Sequence, residues 1–434
     1  MARDRQRFLA ASAALLTLRL ILLFLLRHAP FSNDGGEYAD MARQLTSGQS
    51  FVPYWPPGLP LYLVPFVASP VLIRVSMLAF WILASWGLWR LLRAMDLTAL
   101  AWVVLLVFGL LPDSILLSVD PLTQLPVAAL LLVACSAAVT IVRRRAPCPS
   151  LEFLLLGASL GWAALVRPSA LILVFVLPVI CAVWSRRWLA ATASIALALA
   201  MVCAWMLHVR STTGHTLINT ANGKNLYLGN NPWTPDYKTW YFGSHAKDGE
   251  ELDQFPEYAE QVRAVGRETP EKASAEYQHL AAVEIMAHPG TFVLRTLNRI
   301  RCFWGFDTFA GAQARGHRWM HLPLSPLTLA AEAMFYLALI LPAVYWLARA
   351  GSGFWRRPEA ILLTATILLY AVPYWLSMSH PTYHYPVLTL VAVLGAMAFA
   401  HRERATGSWR GLVAVACLLL VQLEWVWQMS RGVS

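Results

Sequence analysis

Charge is what this chain has least of. Only 13% of its 434 residues are Asp, Glu, Lys or Arg, against 58% hydrophobic. A soluble globular domain carries about 25% charged residues, so the composition excludes one and fits a polytopic membrane protein. Lysine is scarcer still: of the 34 basic residues only four are Lys, all between Lys224 and Lys272. The net charge of +10 does not point to nucleic acid, because the arginines lie in short clusters between hydrophobic runs, which is an orientation signal. Cysteine is sparse. Cys135, Cys181, Cys203 and Cys417 fall in hydrophobic runs, Cys148 in a basic loop, and Cys302 alone in the large polar segment. That excludes an intrachain disulfide framework outside the membrane, and no CxxC spacing offers a metal site. A nucleotide-binding glycine loop, a tandem repeat and a low-complexity tract are all missing.

What is there is hydrophobic length. About eleven runs are candidate spans: 8–27, 71–92, 97–117, 121–142, 151–166, 169–184, 188–209, 326–348, 359–377, 386–400 and 411–428. The first has no small-residue cleavage site and keeps an Arg inside, so it reads as a retained helix rather than a signal peptide. The runs 151–166 and 169–184 meet at Arg167-Pro168 and form either a tight helical pair or one bent element. Three regions follow: a transmembrane region over residues 1–209 containing a first polar loop at 28–60, a loop domain over 210–323, and a C-terminal transmembrane region over 324–434. With the N-terminus in the cytoplasm, sixteen arginines fall in inner segments. Only Arg27, Arg43, Arg167 and Arg431 fall in short outer ones. The positive-inside rule then puts the first polar loop, the turn Asp113–Asp120 and the loop domain on the outer face.

The loop domain begins with Asn222-Gly223-Lys224-Asn225-Leu226-Tyr227-Leu228-Gly229-Asn230-Asn231-Pro232-Trp233, where Gly and Asn favour turns. Its second half predicts a helix from Thr269, with Pro270 at the first position and Glu271 in the first turn, ending before His288-Pro289. An amphipathic stretch, Thr291 to Phe303, carries Arg295, Arg299 and Arg301.

Chemistry concentrates near the membrane surface. Asp34, Glu37 and Asp40 are three apart, the spacing of one helix face, and residues 37–47 predict a short interfacial helix. Asp34 is either a helix cap or a functional acid. Asp120, before Pro121, is likewise a cap or a second acid, and Asp113, after Pro112, is equally a turn residue or a further acid. Arg19 and Arg74 lie inside spans, where an Arg costs about 2.5–3.5 kcal/mol and must face a polar partner. Arg19 reads as structural. Arg74, near the outer end, could reach a phosphate or an outer carboxylate. Glu332 and Glu424, near span ends, are expected to reach the interface. His380-x3-His384 and His317-x3-His321 have helical metal spacing but no convincing third ligand. His384 reads better as a partner for an anionic headgroup.

These residues resemble the bacterial GT-C glycosyltransferases of the protein mannosyltransferase and lipid A aminoarabinose transferase superfamily. The resemblance runs through Asp34–Asp40, Gly48, Pro56-Pro57-Gly58-Leu59-Pro60, Arg74, Pro112 to Asp120 and Leu165-Val166-Arg167-Pro168. It continues through Asn225-Leu226-Tyr227-Leu228-Gly229-Asn230-Asn231-Pro232, His288-Pro289, Phe303-Trp304-Gly305 and Thr382-Tyr383-His384-Tyr385-Pro386. It implies an all-α membrane protein of GT-C-like architecture with a small mixed outer-face loop domain, in a bacterial cytoplasmic membrane. It also implies sugar transfer from a polyprenyl-phosphate carrier to a lipid, glycan or protein acceptor. Asp34 would be the base, with Glu37 and Asp120 as further acids. Members with a Lys before the paired prolines place it near the donor phosphate, and a basic residue is often found at the place of Thr382. Here Trp55 and Thr382 stand instead, so Arg74, Arg301, His384 and Tyr383 become the candidate phosphate contacts. Tyr54, Asn230, Asn231 and Arg167, within or beside the shared motifs, are candidate substrate contacts. No cofactor is fixed by the sequence, and a divalent metal ion stays open. Two other classes compete: an envelope polysaccharide polymerase or ligase, which would rely on outer Arg and His, and a transporter, which would show inverted repeats.

Overall fold

The structure is a computed structural model describing residues 2–48, 51–144, 148–236, 255–319, 321–402 and 407–430. Arg145, Arg404 and Arg431, counted above for orientation, lie outside these residues. The N-terminal half runs α1 (Ala2–Leu26), α2 (Asn33–Ser47), α3 (Gly58–Leu63), α4 (Pro70–Ala94), α5 (Thr98–Leu110), α6 (Pro112–Leu116) and α7 (Gln124–Val142). It continues with α8 (Pro149–Val166), α9 (Leu171–Ser185) and α10 (Trp188–Thr213). The loop domain contributes α11 (Ala221–Gly229), α12 (Pro256–Val265), α13 (Pro270–Ala287), α14 (Pro289–Phe303) and α15 (Phe309–Gln313). It closes with an antiparallel pair, β1 (Arg318–Trp319) and β2 (Leu322–Pro323). The C-terminal region is α16 (Leu324–Ala348), α17 (Ser352–Trp355), α18 (Pro358–Leu376), α19 (Tyr385–Ala400) and α20 (Ser408–Ser430).

Among the described residues ten helices are long and apolar enough to cross a membrane. Each predicted run returns as helix, but 97–117 does not return as one span. α5 has 13 residues, about 20 Å at 1.5 Å per residue, against about 30 Å of hydrocarbon. Pro112, lacking an N–H, closes it and opens α6. The Arg167 question is also resolved. Arg167 is extended (φ −144°, ψ 112°), as a residue before proline prefers, so α8 and α9 are separate helices joined by the tight turn Pro168–Ala170.

α7 is the centre of the bundle, with every residue buried, and α4, α8, α18 and α19 pack around it. It is rich in Ala, which lets backbones approach closely; between membrane helices, packing rather than water exclusion supplies the attraction. Among the described residues, the connections at 27–32, 51–57, 111–123, 167–170, 214–236, 255–319 and 377–384 gather at one end of the bundle. At the other, arginines meet acids: Arg90 with Glu152 at 2.7 Å and Arg143 with Asp96 at 3.4 Å.

Two close approaches shape the first end. A Cβ on Gly58 would lie 2.5 Å from the Val166 nitrogen, so the paired-proline turn rests directly on the end of α8, one residue from Arg167. A Cβ on Gly223 would lie 2.0 Å from the Ser274 carbonyl oxygen. This is why Asn222–Gly229 forms helix α11 rather than turns: its small face fits α13, and Tyr227 closes on Tyr258 and Tyr277. The described loop domain is thus helical apart from the β1–β2 pair.

α13 and α14 divide at His288-Pro289 as predicted. α14 faces the opposite way from the usual surface helix. Its Arg295 and Arg299 are buried, whereas Val293, Leu294 and Leu297 are exposed, next to Val283 and Met286 of α13.

Candidate active site

The site is assembled from the first loop upward. Ser32, not Asp34, caps α2: its Oγ accepts from Gly35 N at 3.3 Å. Asp34 is therefore in the first turn, exposed at the loop-bearing end, where the helix dipole favours a carboxylate. Glu37, one turn on, accepts from Trp55 Nε1 at 2.7 Å. Trp55 thus orients an acid. Asp40 points away and pairs with Arg43 on the surface. Tyr54 lies within electrostatic reach of Glu37 and Asp34; burial, then these two charges, push its phenol up to about 12.

Asp120 does not cap the following span, because α7 begins only at Gln124. It instead accepts from Ser32 N at 3.3 Å, fastening the start of α2 to the second turn. Burial raises its carboxyl, against the opposing pull of the Ser32 bonds and Arg74.

The cation of the site is Arg167. Its Nε donates to Thr123 Oγ1 at 2.6 Å and its Nη1 to Tyr374 OH at 3.0 Å. Ser169 Oγ also lies 3.0 Å from that phenol. The guanidinium sits 5.2 Å from the Tyr383 ring centroid, and Tyr383 stacks on Tyr374 at 4.7 Å. Tyr38, buried beneath, is within reach of both Arg167 and Asp34. Burial, the larger effect, raises its phenol, while Arg167 pulls it down, so the group stays protonated as a donor. The result is a cation held by neutral hydroxyls and ring faces, with Tyr38 and Tyr383 within electrostatic reach of both Arg167 and the exposed Asp34 carboxylate. Sequence reasoning missed Tyr38, Tyr374, Thr123 and Ser169. A tyrosine near a span end, such as Tyr374, reads equally as an interface anchor.

The other candidates lie elsewhere. Arg74 donates to Val119 O at 2.9 Å, Ala29 O at 2.8 Å and Pro30 O at 3.1 Å, and lies over the Phe31 ring. It clamps both polar turns through their backbones. Arg301 pairs with Glu424 at 3.1 Å, beside an apolar cavity of about 510 Å³ between α16, α18, α19 and α20. His384 is buried, with Nδ1 2.6 Å from Phe303 O and its ring stacked on Trp304. Asn230 and Asn231 are buried in the joint between α11, α14 and α18. Asn230 accepts from Arg299 at 2.9 Å and donates to Leu376 O at 3.0 Å. The Asn231 backbone carbonyl accepts from Arg295 at 3.0 Å. Burial, then the neighbouring Arg295, lowers Arg299 to about 9. Arg19 is structural: it donates to Leu15 O, Gly109 O and Ser114 Oγ and lies 3.4 Å from the Trp81 ring centroid.

A second acidic group lies deeper. Glu332 does not reach the interface; it is buried and accepts from Asp113 N at 3.0 Å. Asp113 Oδ1 accepts from Ala310 N at 2.6 Å, and Asp307 lies within electrostatic reach of the Asp113 carboxyl. Burial first, then the charges of Asp307 and Glu332, holds Asp113 well above the usual carboxylate range. Among the described residues no group of three or more His, Cys, Asp or Glu converges as a metal ion would need.

The fold and this site define a multi-pass membrane protein with a carboxylate and an arginine–tyrosine cluster at one end of its bundle. No family model matches the chain, and no curated protein matches it. Among solved structures it is similar to the archaeal oligosaccharyltransferase AglB from Archaeoglobus fulgidus in complex with an inhibitory peptide and a dolichol-phosphate. The identity is 14% and the TM-score 0.48, over 96% of this chain and 54% of that one. The chain thus spans about half the length of that protein.

Proposed function

We propose that this protein transfers a sugar from a polyprenyl-phosphate carrier to an acceptor hydroxyl at the extracytoplasmic face of a bacterial cytoplasmic membrane. The observation that carries this reading is a pair of tyrosines, Tyr38 and Tyr383, within electrostatic reach of both the exposed Asp34 carboxylate and Arg167, in an apolar helix bundle. In the step proposed, the acceptor oxygen bonds to the anomeric carbon as the bond from that carbon to the phosphate oxygen breaks. The acceptor proton goes to Asp34, and the leaving electron pair goes to the phosphate. Arg167 meets the phosphate charge, with the phenols of Tyr38, Tyr374 and Tyr383 as donors; such fixed donors can supply several kcal/mol in a site shielded from water. Glu37 and Asp120 act around Asp34, the one held by Trp55 and the other holding Ser32. Tyr54, at the rim, is placed to meet the acceptor.

The test compares cell-envelope glycans and lipids by mass spectrometry, with and without the gene and after complementation. A glycosylated species should vanish on deletion and return with the wild type. Asp34→Asn keeps the shape and removes the base, so it should reach wild-type amounts in the membrane with turnover lowered about 10²–10⁴-fold. Full restoration by Asp34→Asn would remove that residue from the mechanism.

A further inference from the structure

Thr382 stands where a basic residue is often found in the resembled family, yet it does not act as a cation's substitute. It is buried, and its Oγ1 donates to Asp307 Oδ1 at 2.9 Å. The same oxygen accepts from Thr308 N at 2.7 Å and Phe309 N at 3.1 Å. The 307–310 segment is joined to the turn that begins at Pro112 by Ala310 N, which donates to Asp113 Oδ1 at 2.6 Å. Two further bonds tie the 379–384 segment to the end of α14. Cys302 Sγ donates to Ser379 O at 3.6 Å, and His384 Nδ1 lies 2.6 Å from Phe303 O. Residues 381–384 form a single tight turn after His380, whose Nδ1 lies 2.7 Å from Thr382 Oγ1 and donates to it when the hydroxyl proton is directed to Asp307. Tyr383 N donates to His380 O at 3.0 Å. In so short a turn, one residue cannot shift without its neighbour.

We propose that the buried Thr382–Asp307 hydrogen bond latches the 380–384 turn and so positions Tyr383, with Arg167 against its ring, toward the donor phosphate. Thr382 and Asp307 are positioning residues and do not touch the substrate. What Tyr383 meets rests on the function proposed above; the latch itself does not.

The test uses the full chain in lipid nanodiscs. Thr382→Val removes the hydroxyl at constant shape and Thr382→Ser restores it, with Thr382→Ala in reserve should the valine variant yield little protein. Cys302 is buried behind this turn, whereas Cys148, Cys203 and Cys417 are exposed. Alkylation by a maleimide, resolved by peptide mass spectrometry, should therefore accelerate several-fold at Cys302 in Thr382→Val and stay at the wild-type rate in Thr382→Ser. Unchanged protection of Cys302 in Thr382→Val overturns the latch. A polyprenyl phosphate is the binding probe. Thr382→Val should weaken its binding about threefold to tenfold, the range of one lost hydrogen bond. The same change in a Tyr383→Phe background should add nothing, because both act through one side chain. Additive losses overturn the positioning role. Failure of the wild type to bind the probe sinks the donor reading, and the Cys302 result alone then decides the latch.

Discussion

Arginine shows at the residue scale what the structure adds. Arg74, Arg167, Arg299 and Arg301 all sit near the loop-bearing end, and they differ in what already satisfies them. Arg74 has three backbone carbonyls, Arg299 carbonyls and an amide, and Arg301 a carboxylate. Arg167 has hydroxyls and rings, which leave its full charge for an incoming anion. Arg167→Lys should thus weaken binding of a polyprenyl phosphate about tenfold without lowering the yield of folded protein, because an ammonium cannot reproduce the guanidinium fork. Arg74→Lys should do the reverse: less folded protein, with normal binding in what survives. Stranding a cation near the membrane costs about 2.5–3.5 kcal/mol. Binding titrations and size-exclusion yields read both, and the opposite pattern would return the phosphate to Arg74. The sequence marks each of these arginines as needing a partner, but it does not say which. A carbonyl can come from any residue type, so the clamp on Val119, Ala29 and Pro30 leaves no signature, whereas the Asp34 loop is conspicuous because three acids beside a span are rare.

Elements were legible where hydropathy or proline marks them. The boundary at Pro289 follows from proline chemistry, and α13 follows from Thr269-Pro270-Glu271, whereas hydropathy reads the run 97–117 straight through Pro112 and leaves the join at Pro168 open between two helices and one bent one. The turn-rich reading of Asn222–Gly229 yielded to tertiary contact, since Gly223 against α13 outweighs a local preference of about 1 kcal/mol. The paired-proline element carries a prediction of its own. Gly58→Ala forces a methyl into the backbone of Val166, whereas Gly36→Ala meets nothing within 4 Å. Overpacking of this kind costs about 1–3 kcal/mol. Gly58→Ala should lower the thermal midpoint in nanodiscs and, by moving the first loop off Arg167, lower envelope-product formation further than the stability loss explains. Gly36→Ala should match the wild type in both. Equal behaviour of the two variants would detach the proline turn from the site.

For the whole molecule, the bundle was readable because membrane helices must be long and apolar, while the choice of face rests on the arginine distribution. Reporter fusions check it: one after Gly351 should read cytoplasmic and one after Gly316 external. The reverse would set Asp34 among cytoplasmic nucleotide sugars and end the lipid-donor reading. The inverted α14 bears on how the molecule sits. Arg295 and Arg299 are turned inward and Val293, Leu294 and Leu297 outward, which gives the described loop domain an apolar face. Under the function proposed above, that face would float the loop domain on the bilayer like a hull at a fixed draught, Asp34 would have a set height above the lipid, and an acceptor would be reached only if its hydroxyl were brought down to that waterline.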